Sequence, residues 1–176
     1  MIRVPLVLLC LVTLAAPAEQ TLKVAPLPRD GQVLVSFQLG NVFTDDLKAA
    51  LHSGLTVSFV YKIDLRRSAA VWLDRTIASA VVTASAKYDN LTRRYTVTRA
   101  VDGRIEWARV TDREDDVRSW LTTDFERLPL LRDAKLEPNS EYYVRVRAHT
   151  TPRNATFLWP WDGHDVSALA KFTVIR

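Results

Sequence analysis

SGLTVSFVYKIDL, residues 53–65, alternates: Leu55, Val57, Phe59, Tyr61, Ile63 and Leu65 fall on every second position, and Thr56, Ser58, Lys62 and Asp64 fill most of the gaps. A strand turns successive side chains to opposite faces. The pattern therefore gives one apolar face and one mostly wetted face, as in an antiparallel sheet laid over a core. Upstream, Val33, Val35, Phe37 and Leu39 repeat the spacing over residues 32–39 and predict a first strand. Between the two, Thr44 is an N-cap, Asp45 and Asp46 suit the first turn of a helix, and Leu47, Ala50 and Leu51 form its apolar stripe. This predicts a short helix near 45–53, stopped by Gly54. Residues 19–31, with Pro26 and Pro28, read as an extended lead-in.

Downstream, Ala78, Ala80, Val82, Ala84, Ala86 and Tyr88 share one face of residues 76–88. Alanine favours helices, so a helix competes here, but the β-branched Ile77, Val81, Val82 and Thr83 favour a strand. Asp89-Asn90 reads as a two-residue turn into a strand over 92–101, where Tyr95, Val97, Arg99 and Val101 alternate with Arg94, Thr96, Thr98 and Ala100. Asp102-Gly103 is a stronger hairpin signal, because a tight primed turn needs positive φ at both central residues. Ile105, Trp107 and Arg109 carry the returning strand. Thr111 and Glu114 have the spacing of a capping box, and Val117, Trp120, Leu121, Phe125 and Leu128 follow helical spacing. An amphipathic helix is expected near 112–128, ended by Pro129.

LEPNSEYYVRVRA, residues 136–148, resembles the tyrosine corner and following strand of immunoglobulin-like and fibronectin type III domains. In such a corner a tyrosine hydroxyl bonds back to the backbone where the chain crosses between sheets, and Tyr142 is the matching residue. The expected fold class is mainly β: an antiparallel immunoglobulin/fibronectin III-like β-sandwich, built as a single domain over 32–176, with a last strand carrying Phe172 and Val174. Hydrophobic residues make up 48% of the 176 and charged residues 25%, an ordinary globular balance.

The N-terminus bounds the compartment. Arg3, the apolar run 4–15 and the small residues Ala16-Pro17-Ala18 have the three-part layout of a secretory signal, with cleavage after Ala18. The run is shorter than the roughly 20 apolar residues that span a bilayer. Cys10 follows Val7, Leu8 and Leu9, a poor setting for a lipoprotein site. Cleavage removes this cysteine, the only one, and with it any disulfide or thiol chemistry. It also removes Arg3, lowering the formal charge from +4 to +3, far from the cationic density of a nucleic-acid binder.

The ordered pieces HSGLTVSFVYKIDLRR, WLDRTIAS, KYDNLTRRYTV and EPNSEYYVRVRA are similar to those of the bacterial domain of unknown function 4390 family. The resemblance covers most of the chain after the signal. It implies an exported protein of the bacterial envelope, periplasmic or extracellular, with a pointer to membrane sensor kinases. It carries over no activity, cofactor or catalytic residue.

No GxSxG, HExxH or Walker-type motif is present, and five glycines leave little room for a phosphate-cradling loop. His52 suits a helix C-terminus, while Asp162, His164 and Asp165 read as a polar turn more readily than as metal ligands. Asp115, Asp116, Asp124 and Glu126 read as a solvated helix face. No metal, cofactor or catalytic residue is expected. Arg66, Arg67, Arg93 and Arg94 are candidates for an anion or partner surface, with Arg99, Arg145 and Arg147 inside strands. Pairing of these arginines to Asp64, Asp74 or Glu106 is the bland alternative. Trp159 and Trp161 around Pro160 offer an aromatic platform for sugar or peptide, or a cap over the core.

The expected function is a non-catalytic binding or scaffolding module of the bacterial envelope, contacting an unknown protein, an anionic envelope polymer or the membrane surface, and no nucleic acid. The alternatives are a periplasmic sensory partner of a membrane histidine kinase, and a hydrolase acting on envelope material.

Overall fold

The computed structural model describes residues 20–29, 31–68, 74–131, 136–153 and 165–174. Among these the elements are β1 (Thr21–Arg29), β2 (Gln32–Gly40), α1 (Asp45–His52), β3 (Thr56–Arg67), β4 (Arg75–Asp89), β5 (Arg94–Val101), β6 (Arg104–Thr111), α2 (Glu114–Thr122), β7 (Phe125–Leu131), β8 (Glu141–Arg153) and β9 (Val166–Thr173). The strands form a three-stranded sheet, β1-β2-β7, and a six-stranded sheet, β6-β5-β4-β3-β8-β9. Every pairing is antiparallel.

The alternation of residues 53–65 becomes the centre of the molecule. β3 pairs along its full length with β4 on one side and β8 on the other, and Val57, Phe59, Tyr61, Ile63 and Leu65 are each 2% exposed or less. Facing them, Val33, Val35, Phe37 and Leu39 of β2 are equally buried. The sheets meet at aromatic rings: Phe37 stacks on Phe125 of β7 with centroids 4.4 Å apart, and Tyr61 lies 4.8 and 4.7 Å from those two rings. Full burial of such side chains stabilises by about 1.5–3 kcal/mol each.

Three strands cannot cover six. The two helices close part of the excess, with Leu47, Ala50 and Leu51 of α1 and Val117 and Leu121 of α2 joining the core. β1 and β7 are the edges of the smaller sheet, and both carry proline, Pro26 and Pro28 in β1 and Pro129 in β7. Proline lacks the N–H that would recruit another strand, so these residues blunt both edges.

The short helix, the strand over 76–88 and the Asp102-Gly103 hairpin form as expected, the last with φ of 48° and 81°. Within the lead-in, Thr21–Arg29 is itself a strand, paired along its length with β2. Three expectations need correction. The helix expected over 112–128 spans only Glu114–Thr122, because Phe125 is drawn into β7 to stack on Phe37. Pro129 therefore stands inside an edge strand, opposite Leu34, and terminates nothing. The capping box does not form: Thr111 is held in the sheet opposite Tyr95, accepts from the Arg113 amide at 3.1 Å and donates to Asp116 at 2.9 Å, while Arg113 occupies the N-cap without a side-chain capping hydrogen bond. The β4–β5 connection is a four-residue loop, 90–93, because the Asp89 carboxylate accepts from the Leu91 and Thr92 amides and bends the chain there. Those two bonds hold the Asp89 carboxyl below its usual value.

Candidate binding cleft between the hairpin and α2

The inward row of β5 runs Tyr95, Val97, Arg99, and so an arginine enters the core. The Arg99 side chain is 7% exposed, with its guanidinium between two rings, 4.6 Å from the centroid of Trp107 and 4.5 Å from that of Phe125. Trp107 sits directly across the β5–β6 ladder from Arg99, and Trp120 of α2 meets Trp107 edge-on at 5.1 Å. Arg109, one inward position from Trp107, stacks its guanidinium 4.7 Å from the Trp120 ring. Two indoles and two guanidiniums thus line an open cleft of about 300 Å³ beside Asp124.

Arg99 is incompletely satisfied. One terminal nitrogen donates to the Trp120 carbonyl at 3.4 Å, near the C-terminus of α2 where a cation is favoured. Its counter-ion, the half-exposed Asp124 carboxylate, stands 3.8 Å away, beyond hydrogen-bond reach, and its buried Nε has no partner among the described residues. Burial lowers the Arg99 pKa against the opposing effect of Asp124. A buried cation with a loose counter-ion is costly to maintain and is often functional. Tyr61 donates to the adjacent Leu121 carbonyl, so side chains from β3 and β5 together cap α2 and end it there.

A second cavity of about 220 Å³ is lined by Ile63, Val82, Val101, Glu106, Leu128 and Leu130 and shares no lining residue with the first. Arg99 of the cleft and Val101 of this cavity are successive inward positions of β5.

The arginines singled out in the sequence do not come together. Arg66 and Arg67 lie at the end of β3, whereas Arg93 and Arg94 lie at the start of β5, roughly 40 Å away along the sheet. Arg66 donates to the Asp74 carbonyl at 3.0 Å and lies over the Tyr143 ring, and Arg67 pairs with Glu137. Arg147 pairs with Asp64 at 2.7 Å, while Arg145 lies over Tyr143. Arg93 and Arg94 are exposed at the 90–93 loop. Tyr142 is 2% exposed, and its hydroxyl accepts from the Glu137 amide at 2.8 Å. His52 contacts the Tyr95 hydroxyl at 2.7 Å, and His149 pairs with Asp165. Trp159, Trp161, Asp162 and His164 lie outside the described residues. Among the described residues no group of three or more His, Cys, Asp or Glu is placed to hold a metal.

Sequence reasoning grouped Arg99 with the surface arginines. The signal that places it inside was available: Arg99 shares the inward row of Tyr95 and Val97, with Trp107 across the hairpin.

The fold and cleft define an antiparallel β protein of two facing sheets, in which a hairpin and a helix present a cationic, indole-lined recess. More particularly, a family model described as "Domain of unknown function (DUF4390)" matches residues 20–154, and the chain belongs to that family. The matched span contains every element from β1 to β8, including the whole cleft. No curated protein and no solved structure matches the chain.

Proposed function

We propose that this protein is an exported, non-catalytic binding module of the bacterial envelope, and that the Arg99–Trp107–Arg109–Trp120 cleft is where it binds. The single observation that carries the reading is the composition of that recess: two guanidiniums and two indoles line it beside a single carboxylate, Asp124. Such groups offer fixed donors and positive charge to a ligand, a chemistry suited to holding an anion more than to moving protons. Export rests on the secretory layout of residues 1–18.

The scaffold is an immunoglobulin-like sandwich of the fibronectin III kind. Support comes from β1-β2-β7 facing β4-β3-β8-β9, and from the Tyr142 corner at the crossing from β7 to β8. The β5–β6 hairpin and α2 are then an insertion between the fourth strand and β7, and the insertion supplies all four cleft residues, Arg99 from β5, Trp107 and Arg109 from β6 and Trp120 from α2.

The test is retention of envelope components on immobilised protein lacking residues 1–18. A component held by the unaltered chain and released by Trp107→Ala supports the reading. Retention of nothing, or of the same components by both forms, overturns it.

A further inference from the structure

Resting on that reading, we infer that the partner is a polypeptide: an extended segment that lies along the open edge of β6 and turns an acidic side chain inward onto Arg109.

The place follows from the fate of the sheet edges. Among the described residues the two sheets have four edge strands, β1, β7, β6 and β9. β1 and β7 carry proline, and β9 lies against β1. β6 has neither a proline nor a described strand on its outer side, and six of its eight residues are exposed. An edge of this kind presents unpaired N–H and C=O groups, a template for one more strand. The register slips at Glu106, between the Arg99–Trp107 and Ala100–Ile105 pairs, and this limits the regular part of the edge to residues 107–111.

The chemistry follows from the two rows that this edge presents. Trp107, Arg109 and Thr111 stand opposite Arg99, Val97 and Tyr95 and share their inward face, while Ala108 and Val110 point outward. Arg109 is exposed, held over the Trp120 ring at 4.7 Å, and forms no ion pair among the described residues. The carboxylate of the cleft, Asp124, faces Arg99 instead, at 3.8 Å. Residues directly across a ladder have Cβ atoms about 4.5–5.5 Å apart, so an aspartate or glutamate opposite Arg109 supplies the counter-ion it lacks, and a lysine there meets a like charge. On the outer face Ala108 and Val110, the latter 55% exposed, favour β-branched apolar neighbours. Self-pairing of two β6 strands about Ala108 sets Arg109 against Trp107, and about Arg109 sets it against itself. Neither supplies a carboxylate, and charge complementarity therefore favours a different chain.

The probe is the blocked peptide acetyl-Ser-Thr-Val-Glu-Val-Thr-Ser-amide, which sets glutamate on one face between two valines on the other. It is titrated into protein lacking residues 1–18, and binding is read by calorimetry and by tryptophan fluorescence. The glutamate peptide is expected to bind roughly tenfold more tightly than its lysine counterpart, and Arg109→Glu to reverse that order, a gain that a misfolded chain cannot produce. Two N-methylated forms, one methylated on both valines and the other on the glutamate and both threonines, report on the edge itself. In an added strand one set of amides faces β6 and the other faces solvent, so one form should bind as the parent does and the other should lose binding. Equal affinity of the glutamate and lysine peptides, an unreversed order in Arg109→Glu, or equal affinity of the two methylated forms would each overturn the inference. So would a dimer in sedimentation that Arg109→Glu returns to monomer, since a second copy would then occupy the edge. If the peptide fails to bind while an envelope component is still retained in a Trp107-dependent manner, the strand partner falls and the binding module stands. If neither occurs, both fall.

Discussion

Tyr61 and Tyr142 are both buried tyrosines whose hydroxyls bond to backbone, yet they act at opposite ends of a segment. Tyr142 accepts the Glu137 amide and fixes the entry to β8. Its replacement by phenylalanine keeps the ring's packing and removes one hydrogen bond, so Tyr142→Phe should cost about 1 kcal/mol in urea unfolding. An unchanged midpoint would show that the corner is held by packing alone. Tyr61 donates to the Leu121 carbonyl and ends α2. Burial raises its pKa far above 10, with Arg99 opposing, so the folded state keeps a proton that the unfolded chain releases above about pH 10. The stability linked to Tyr61 is therefore complete below pH 10 and is lost as pH climbs above it, at about 1.4 kcal/mol per pH unit. Tyr95, also raised by burial, and Tyr143, raised by its bond to Asp74, contribute in the same direction. The Tyr61→Phe chain should show a shallower decline between pH 10 and 11.5 in chemical denaturation, and an identical slope would refute the assignment.

Among the elements, the β5–β6 hairpin matters most because it carries Arg99, Trp107 and Arg109 into register. Its turn places Asp102 at φ 48° and Gly103 at φ 81°, and the Asp102 carboxylate accepts from the Val81 amide at 2.8 Å, tying the turn to β4. A Cβ at Gly103 meets nothing within 4 Å, so any cost of adding one is conformational. Gly103→Ala should destabilise by about 1 kcal/mol, measured by thermal unfolding, without loss of ligand or component binding at saturation. This scale also shows why residues 112–128 misled. Val117, Leu121 and Phe125 have helical spacing, but the first two pack as helix and the third as strand. A stripe at intervals of four does not reveal where the backbone changes conformation, and the change is imposed by Phe37 and by the capping groups of Tyr61 and Arg99, all distant in the chain.

At the scale of the whole molecule, both sheets and both helices contribute to one buried cluster, with Phe37, Tyr61 and Phe125 at the junction. Phe37→Ala should cost about 3–5 kcal/mol, and the loss should lower the unfolding midpoint seen by tryptophan fluorescence and by far-ultraviolet circular dichroism equally. Two separated transitions would mean that the sheets are not one cooperative unit. The mismatch between a three-stranded and a six-stranded layer is also a property of the whole. It leaves the inner face of β5 and β6 partly uncovered beyond β7, and the recess with its buried arginine forms in that gap.

The chain's own order of residues determined the extended segments, their inward rows, the first helix and the Asp102-Gly103 turn. Each of these is written in neighbours a few positions apart, through period-two alternation, caps or positive-φ residues. Tertiary structure alone decided that Arg66 and Arg94 lie at opposite ends of the sheet, that Phe125 begins a strand, and that Phe125 and the Trp120 carbonyl close over Arg99. These outcomes depend on which strands pair and on how wide each layer becomes, and local spacing carries no term for either.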